Sequence, residues 1–195
     1  GGTAGSLLRY DEIERLDAVE ICEGVIEPAR RYFTEMNNGV LDDPRLHLII
    51  QDGKNYVRLT DKTYDIIYSG PIHPQSNQGS AALYTKEFFE DCRKRLNPRG
   101  LQCVWLPLHV PIEDYKVIVK TFQQVYPHSS LWLTSNSPNT LVHTHLIGSL
   151  EPLAIDYQMV NEKLQKGAVN ADHLDYITLS NAFDLIGQCA MGEEK

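Results

Sequence analysis

The sequence predicts a doubly wound, mostly parallel α/β sheet, and three observations carry that expectation. Apolar runs of strand length alternate with segments of helical spacing through most of the chain. One run, Tyr64-Asp65-Ile66-Ile67-Tyr68, is nearly continuous in apolar character, as in a strand buried on both faces. Another, Leu16-Asp17-Ala18-Val19-Glu20-Ile21, alternates and closes on a carboxylate, so an acid stands at a strand end, where open α/β sheets bind their ligands.

Taken in order, the chain opens on Gly1-Gly2-Thr3-Ala4-Gly5-Ser6, a tight-turn sequence, with a short helical pattern over residues 6–9. The strand at 16–21 follows. Apolar residues Val25, Ile26, Ala29, Tyr32, Phe33 and Met36 have helical spacing over 23–36, with Gly39 as the stop. A strand over 46–50 leads to Gln51-Asp52-Gly53, a short helix over 53–60 and the strand at 64–68. The polar stretch 69–80 is long for a connection in a folded domain, and loops of that length usually carry function. Thr85 caps an amphipathic helix over 85–96, which Asn97-Pro98-Arg99-Gly100 stops before a strand at 101–106. A helix over 113–126 and strands over 130–134 and 140–147 complete the pattern. From Glu151 the sequence turns helical and polar, so the expected organisation is one domain over 1–150 and a helical extension over 151–195.

Composition narrows the function classes. With 42% hydrophobic and 23% charged residues in 195, the chain has the make-up of a folded globular domain. No apolar run approaches the roughly 18 residues that cross a bilayer. A net charge of -8 offers nucleic acid no electrostatic footprint, while it draws cations. Cys22, Cys92, Cys103 and Cys189 form no C-x-x-C pair, which fits reduced, buried thiols in a cytoplasmic setting. The glycine turn at the very start has no strand before it to turn from, so the chain reads as cut from a longer protein, with that strand preceding Gly1.

Three features converge on the expected ligand edge. Gly1, Gly2 and Gly5 form a backbone loop opening a helix, Glu20 ends the next strand, and Asp52-Gly53 ends the one after. Together they suit a nucleoside, whose hydroxyl and amino groups donate to carboxylates; Ile21 and Ser69, beside strand ends, join the set. His143 and His145 share one face of a strand without a third metal ligand at a recognisable spacing, so no metal site is expected. Trp105 and Trp132 read as packing residues, and Asp172, Asp175 and Asp184 as a solvated helix face.

The same residues resemble the spermidine synthase, or polyamine aminopropyltransferase, family. Gly1-Gly2-Thr3-Ala4-Gly5-Ser6-Leu7-Leu8-Arg9, Val19-Glu20-Ile21 and Leu41-Asp42-Asp43-Pro44-Arg45 are similar to its motifs, as are Leu83-Tyr84-Thr85-Lys86-Glu87-Phe88-Phe89 and Leu96-Asn97-Pro98-Arg99-Gly100. The resemblance covers roughly residues 1–150. It implies a Rossmann-like sheet of the class I S-adenosylmethionine-dependent methyltransferase type, with Glu20 on the ribose and Asp52 on the adenine amino group. The implied ligand is decarboxylated S-adenosylmethionine, S-adenosylmethionine or methylthioadenosine. A polyamine acceptor, a homodimer and, from Ser69-Gly70-Pro71-Ile72-His73-Pro74 and Trp105-Leu106-Pro107-Leu108, membrane helices in the parent protein are further implications.

Three family carboxylates are replaced. The base and the polyamine-holding acid of the loop after the third strand fall at Gly70 and His73, and the acid that holds the nucleotide's amine falls at Ala4. Residues 69–84 contain no Asp or Glu, and His73 is the titratable group there suited to act as a base. A protonated polyamine needs carboxylates to hold it and a base to take its proton. Three functions remain open: an aminopropyltransferase-like enzyme with altered amine specificity, a methyltransferase, and a catalytically silent nucleoside-binding domain that regulates an attached membrane region.

Overall fold

The first strand, β1 (Leu16–Glu20), pairs in parallel with β2 (Leu46–Ile50), Leu16 opposite Leu46 and Glu20 opposite Ile50. The computed structural model describes residues 1–70, 78–137, 140–165 and 181–192 and divides into two units, Gly1–Leu59 and Thr60–Lys195.

In the first unit the opening glycines are helical. Helix α1 (Gly2–Leu7) takes in Gly2 and Gly5, so the expected glycine loop is instead two turns of helix. Packing explains Gly5: a Cβ there would lie 2.1 Å from the Asn37 carbonyl oxygen, a separation backbone atoms cannot adopt. Asn37 is itself buried, and its amide side chain donates to the Ala29 carbonyl at 3.0 Å. The helix expected over 23–36 is shorter. A 3-10 turn, Glu23–Val25, leads into α2 (Ile26–Tyr32), and the chain then reverses through Asn38 and Gly39 at φ 55° and 65°, a left-handed pair that no helix continues through.

Arg45 explains the Leu-Asp-Asp-Pro-Arg run. Asp43 grips it, Oδ2 to Nη2 at 2.8 Å, and the guanidinium donates to the carbonyls of Tyr10, Ile13 and Leu8, tying the segment after α1 to the start of β2. The Arg45 side chain thereby holds the Asp43 carboxyl below its ordinary pKa. Helix α3 (Gly53–Leu59) closes the unit.

The second unit is built on a five-stranded sheet in the order β3-β4-β6-β5-β7. Its strands are β3 (Tyr64–Ser69), β4 (Leu96–Pro107), β5 (His128–Ser137), β6 (Thr140–Ser149) and β7 (Cys189–Met191). β3 and β4 are parallel; β6 runs antiparallel to β4 and β5, and β7 antiparallel to β5. β3 lies at the sheet's edge, which is why Ile66 and Tyr68 are exposed where the apolar run suggested burial on both faces. β7 falls within the expected helical extension, which otherwise holds α7 (Tyr157–Gln165) and α8 (Ala182–Ile186). Asp184, read as a solvated acid, completes a capping box with Asn181 at the start of α8. Asp172 and Asp175 lie outside the described residues.

Helices α5 (Lys86–Lys94) and α6 (Ile112–Val125) follow the expected pattern, and Thr85 caps α5 as its position predicts, while α4 (Gln78–Ala81) forms at the end of the stretch that the sequence reads as a polar connection. α5 and α6 cover the face of the sheet that carries Gln102, Val104, Leu106, Thr144 and Leu146. Phe122 meets Phe89 edge-on at 5.1 Å and Tyr126 at 4.7 Å. Gly148 lies beneath that ring pair: a Cβ would stand 2.5 Å from the Tyr126 ring, so only glycine lets the helix reach the strand. Cys92 belongs to this interior; Cys103 is half-buried on the opposite face of the sheet, where burial pushes its thiol up to about 12, and Cys22 is exposed.

Candidate functional site

Parallel pairing aligns strand ends, and in the first unit it brings two of the candidate acids to one edge. Glu20 is the last residue of β1, opposite Ile50, and Asp52 follows two residues after Ile50. The Gln51 amide donates to the Glu20 carbonyl at 3.0 Å, extending the register to the residue before Asp52.

Each acid is braced by backbone. Glu20 Oε1 accepts from the Cys22 amide at 2.8 Å, which curls the chain after β1 around the carboxylate, and Ile21 sits in that curl with its side chain 69% exposed. Asp52 Oδ1 accepts from the Asn55 amide at 2.8 Å and so caps α3, with Gly53 as its first residue. One oxygen of each carboxylate is thus committed to orientation and the other remains to accept from a ligand hydroxyl or amino group. Gly2 and Gly5 belong to α1 in the same unit, with Gly1 as its N-cap, and Gly5 serves contact with Asn37.

The second unit carries the remaining candidates. Ser69 ends β3, and its Oγ is buried without a hydrogen-bond partner among the described residues. Gly70 follows, and the space a side chain would occupy there is taken: a Cβ would lie 2.8 Å from the Tyr68 hydroxyl. The phenol thus stands where a carboxylate at position 70 would begin. His73 lies outside the described residues.

Sequence reasoning set aside the residues that gather beside Tyr68. Cross-strand partners share a sheet face, and the register places Tyr68 opposite Cys103, Trp105 opposite His145, and His145 opposite Trp132. Tyr68, Trp105, His143 and His145 therefore stand on the face opposite α5 and α6, at the end of the sheet where β3 and β4 finish. The Trp105 and His143 rings are 5.1 Å apart and those of Tyr68 and His145 6.4 Å. Burial holds both histidines below the ordinary imidazole pKa, aided at His143 by His109 and at His145 by His143. The Tyr84 hydroxyl donates to the Trp105 carbonyl at 3.0 Å and fixes this end of β4. The His-x-His spacing signalled the shared face; only strand register shows that Trp105 and Tyr68 flank it. Among the described residues no three histidine, cysteine or acidic side chains are grouped to hold a metal, and no helix is long and apolar enough to cross a membrane.

Comparison with known proteins bears on both units. The family model described as the spermine/spermidine synthase domain matches residues 1–134. A polyamine aminopropyltransferase of Saccharolobus solfataricus is 30% identical over 167 residues, 85% of this chain and 56% of that protein. A polyamine aminopropyltransferase of Escherichia coli O1:K1 is 39% identical over 108 residues, 52% of this chain and 36% of its own length. The chain thus spans about half or less of these curated relatives. Among solved structures, a spermidine synthase in complex with the transition state analogue AdoDATO superposes with a TM-score of 0.72 at 21% identity, covering 98% of this chain and 63% of the other. Human methyltransferase-like protein 13 in complex with SAH gives 0.60 at 22%, covering 87% and 76%. These likenesses confirm the expected methyltransferase-type α/β fold.

Proposed function

We propose that this chain, which belongs to the spermine/spermidine synthase family, binds an adenosyl nucleoside in its first unit and lacks the carboxylates that would make a protonated polyamine its efficient acceptor. The observation that carries the reading is the placement of Glu20 and Asp52 at one edge of the β1–β2 pair, each held by a backbone amide through one oxygen. Glu20 accepts from the ribose hydroxyls and Asp52 from the adenine amino group; both bonds are charge-assisted and independent of position 70. The solved relatives in complex with AdoDATO and SAH support an adenosyl ligand as the class, and decarboxylated S-adenosylmethionine, S-adenosylmethionine and methylthioadenosine are its candidate forms.

Aminopropyl transfer requires the acceptor nitrogen to give up a proton and attack the carbon beside the sulfonium, whose C–S bond breaks with the electron pair left on sulfur. Gly70 has no side chain to take that proton, and the Tyr68 phenol occupies the space a carboxylate there would enter. Ala4 cannot hold an ammonium on the nucleotide. An acceptor other than a polycation, as in a methyltransferase, is the second reading, and the loss of charge at position 70 favours it.

Calorimetry with the three nucleosides tests the proposal. Glu20→Ala weakens binding by about 1.5 to 3 kcal/mol, the range for hydrogen bonds to a charged group, while the fold is retained. Unchanged affinity in that variant removes Glu20 from the site, and no binding of any of the three rejects the nucleoside reading.

A further inference from the structure

We infer that Tyr56 and Asp17 are positioning residues of the nucleoside edge: their hydrogen bond fixes α3 against β1 and so sets where the Asp52 carboxylate stands relative to Glu20. The inference rests on the adenosyl-nucleoside reading and adds to it two residues that act through Asp52.

One nucleoside must reach both acids, so their separation has to be held. The strands hold only part of it. Pairing of β1 with β2 reaches Glu20 and Gln51, and the chain leaves the sheet at Asp52. Beyond that point α3 aims the side chain. Asp52 Oδ1 accepts from the Asn55 amide at 2.8 Å, and the Asp52 carbonyl accepts from the Tyr56 amide at 2.9 Å. The direction taken by the first turn of α3 is therefore the direction given to the Asp52 carboxylate.

Helix α3 has seven residues, too few to keep its own direction in water, so its docking decides its position. Its last residue, Leu59, is 68% exposed, which leaves the apolar hold thin at that end. Tyr56 supplies a directional one. Its phenol donates to Asp17 Oδ2 at 3.1 Å, and Asp17 lies on β1 three residues before Glu20. The Asp17 side chain is only 1% exposed, and its other oxygen accepts from Arg15 Nε at 2.7 Å. A carboxylate so buried is held to its hydrogen bonds by the cost of leaving them unmade, which makes it a fixed anchor. Tyr56 thus joins two parts of the site: its backbone bonds to Asp52 and its side chain to the strand that carries Glu20. The β1–β2 ladder does not run through this contact, so the edge can lose its spacing and keep its strands.

A positioning role predicts a selective loss. Methylthioadenosine and its analogue with hydrogen in place of the 6-amino group differ in the donor that meets Asp52, so the ratio of their affinities reads that contact. Both are titrated into the full chain by calorimetry, at a temperature where urea unfolding shows every variant folded. The unmodified chain is expected to favour the amino form at least about tenfold, the factor for a hydrogen bond to a charged group. In Tyr56→Phe, which removes one hydroxyl, the ratio falls to within about threefold, while the affinity for the analogue changes by less than about twofold. Asp17→Leu has the same effect. Asp17→Asn restores the ratio, because an amide meets the phenol with a donor or an acceptor in either orientation. A ratio unchanged in Tyr56→Phe overturns the inference, as does an equal weakening of both nucleosides, the mark of a merely structural contact. The nucleoside reading has its own signal in the unmodified chain. Binding of neither compound, or of both alike, rejects that reading at Asp52 and this inference with it; an amino preference that survives Tyr56→Phe rejects this inference alone.

Discussion

Residues 1–59 hold the acids and little interior, whereas residues 60–195 hold a deep interior and no acid where the family has its base. In the first unit a two-stranded parallel sheet buries few large side chains. Tyr32, Phe33, Met36, Leu48 and Ile50 are all exposed, and the ordered contacts are polar ones around Asn37 and Arg45. In the second, two helices seal one face of the sheet over Phe89, Phe122, Tyr126, Val104, Leu106 and Leu146. Stability and ligand chemistry are therefore carried by different residues, and a substitution can change one without the other. Hydrogen-bonded acids at strand ends need only local backbone support, which β1 and β2 supply, while the interior of the second unit depends on volume.

The largest expected effect breaks the comparison if it fails. Phe122→Ala empties a fully buried ring site and destabilises the second unit by about 3 to 5 kcal/mol, read as a lower urea midpoint; Phe33→Ala, at a residue 49% exposed, changes stability by less than about 0.5 kcal/mol. Comparable losses at both positions would mean that the first unit has a packed interior of its own. Next in size, Thr85→Ala removes the cap of α5 and costs about 1 kcal/mol, with the α5 amides the first to gain hydrogen exchange.

Acid should act on the second unit through its histidines. His143 and His145 have folded-state pKa values below the ordinary 6.5, so the unfolded chain takes up protons first. Their contribution is complete above that value and is lost as the pH falls below it. Thermal unfolding therefore shifts downward between about pH 7 and pH 5, and the shift shrinks in His145→Gln; an equal shift in that variant would assign the effect elsewhere. The smallest effects come from exposed ion pairs. Arg30 with Asp42 in the first unit and Lys86 with Glu90 in the second each contribute at most a few tenths of a kcal/mol, and double-mutant cycles on both should be indistinguishable from zero at high salt.

What was legible in the sequence follows the range of the interactions. Thr85, an alternating strand and a helical stripe are local signals, and α5, α6, β1 and β2 fall close to where they point. Gly2 and Gly5 misled because glycine opens turns in most contexts; here Gly5 is required by Asn37, 32 positions away, a contact no local pattern contains. The helix expected over 23–36 ends at Tyr32, where Phe33 leaves helical geometry, and turns separate it from the left-handed Asn38 and Gly39, so a stop placed at Gly39 marked the reversal of the chain and not the end of the helix. β7 has three residues and no period to detect, so it exists only through its pairing with β5. The acids Glu20 and Asp52 were visible because a strand end is a sequence feature. The Tyr68, Trp105 and histidine row was not, because it is assembled by register between strands distant in the chain.

On the proposed function, an adenosyl site has been kept and a polycation site has not. The direct measurement is aminopropyl transfer from decarboxylated S-adenosylmethionine to putrescine, followed as spermidine formed by the unmodified chain and by the double variant Gly70→Asp with Tyr68→Ala, which supplies a carboxylate and clears the phenol from its place. The unmodified chain is expected to show rates lower by about 10²- to 10⁴-fold than a positioned base would give, with a gain in the double variant. Rapid spermidine formation by the unmodified chain would contradict the claim, because a base and an anionic amine site would then have to exist that Gly70 and its surroundings do not provide.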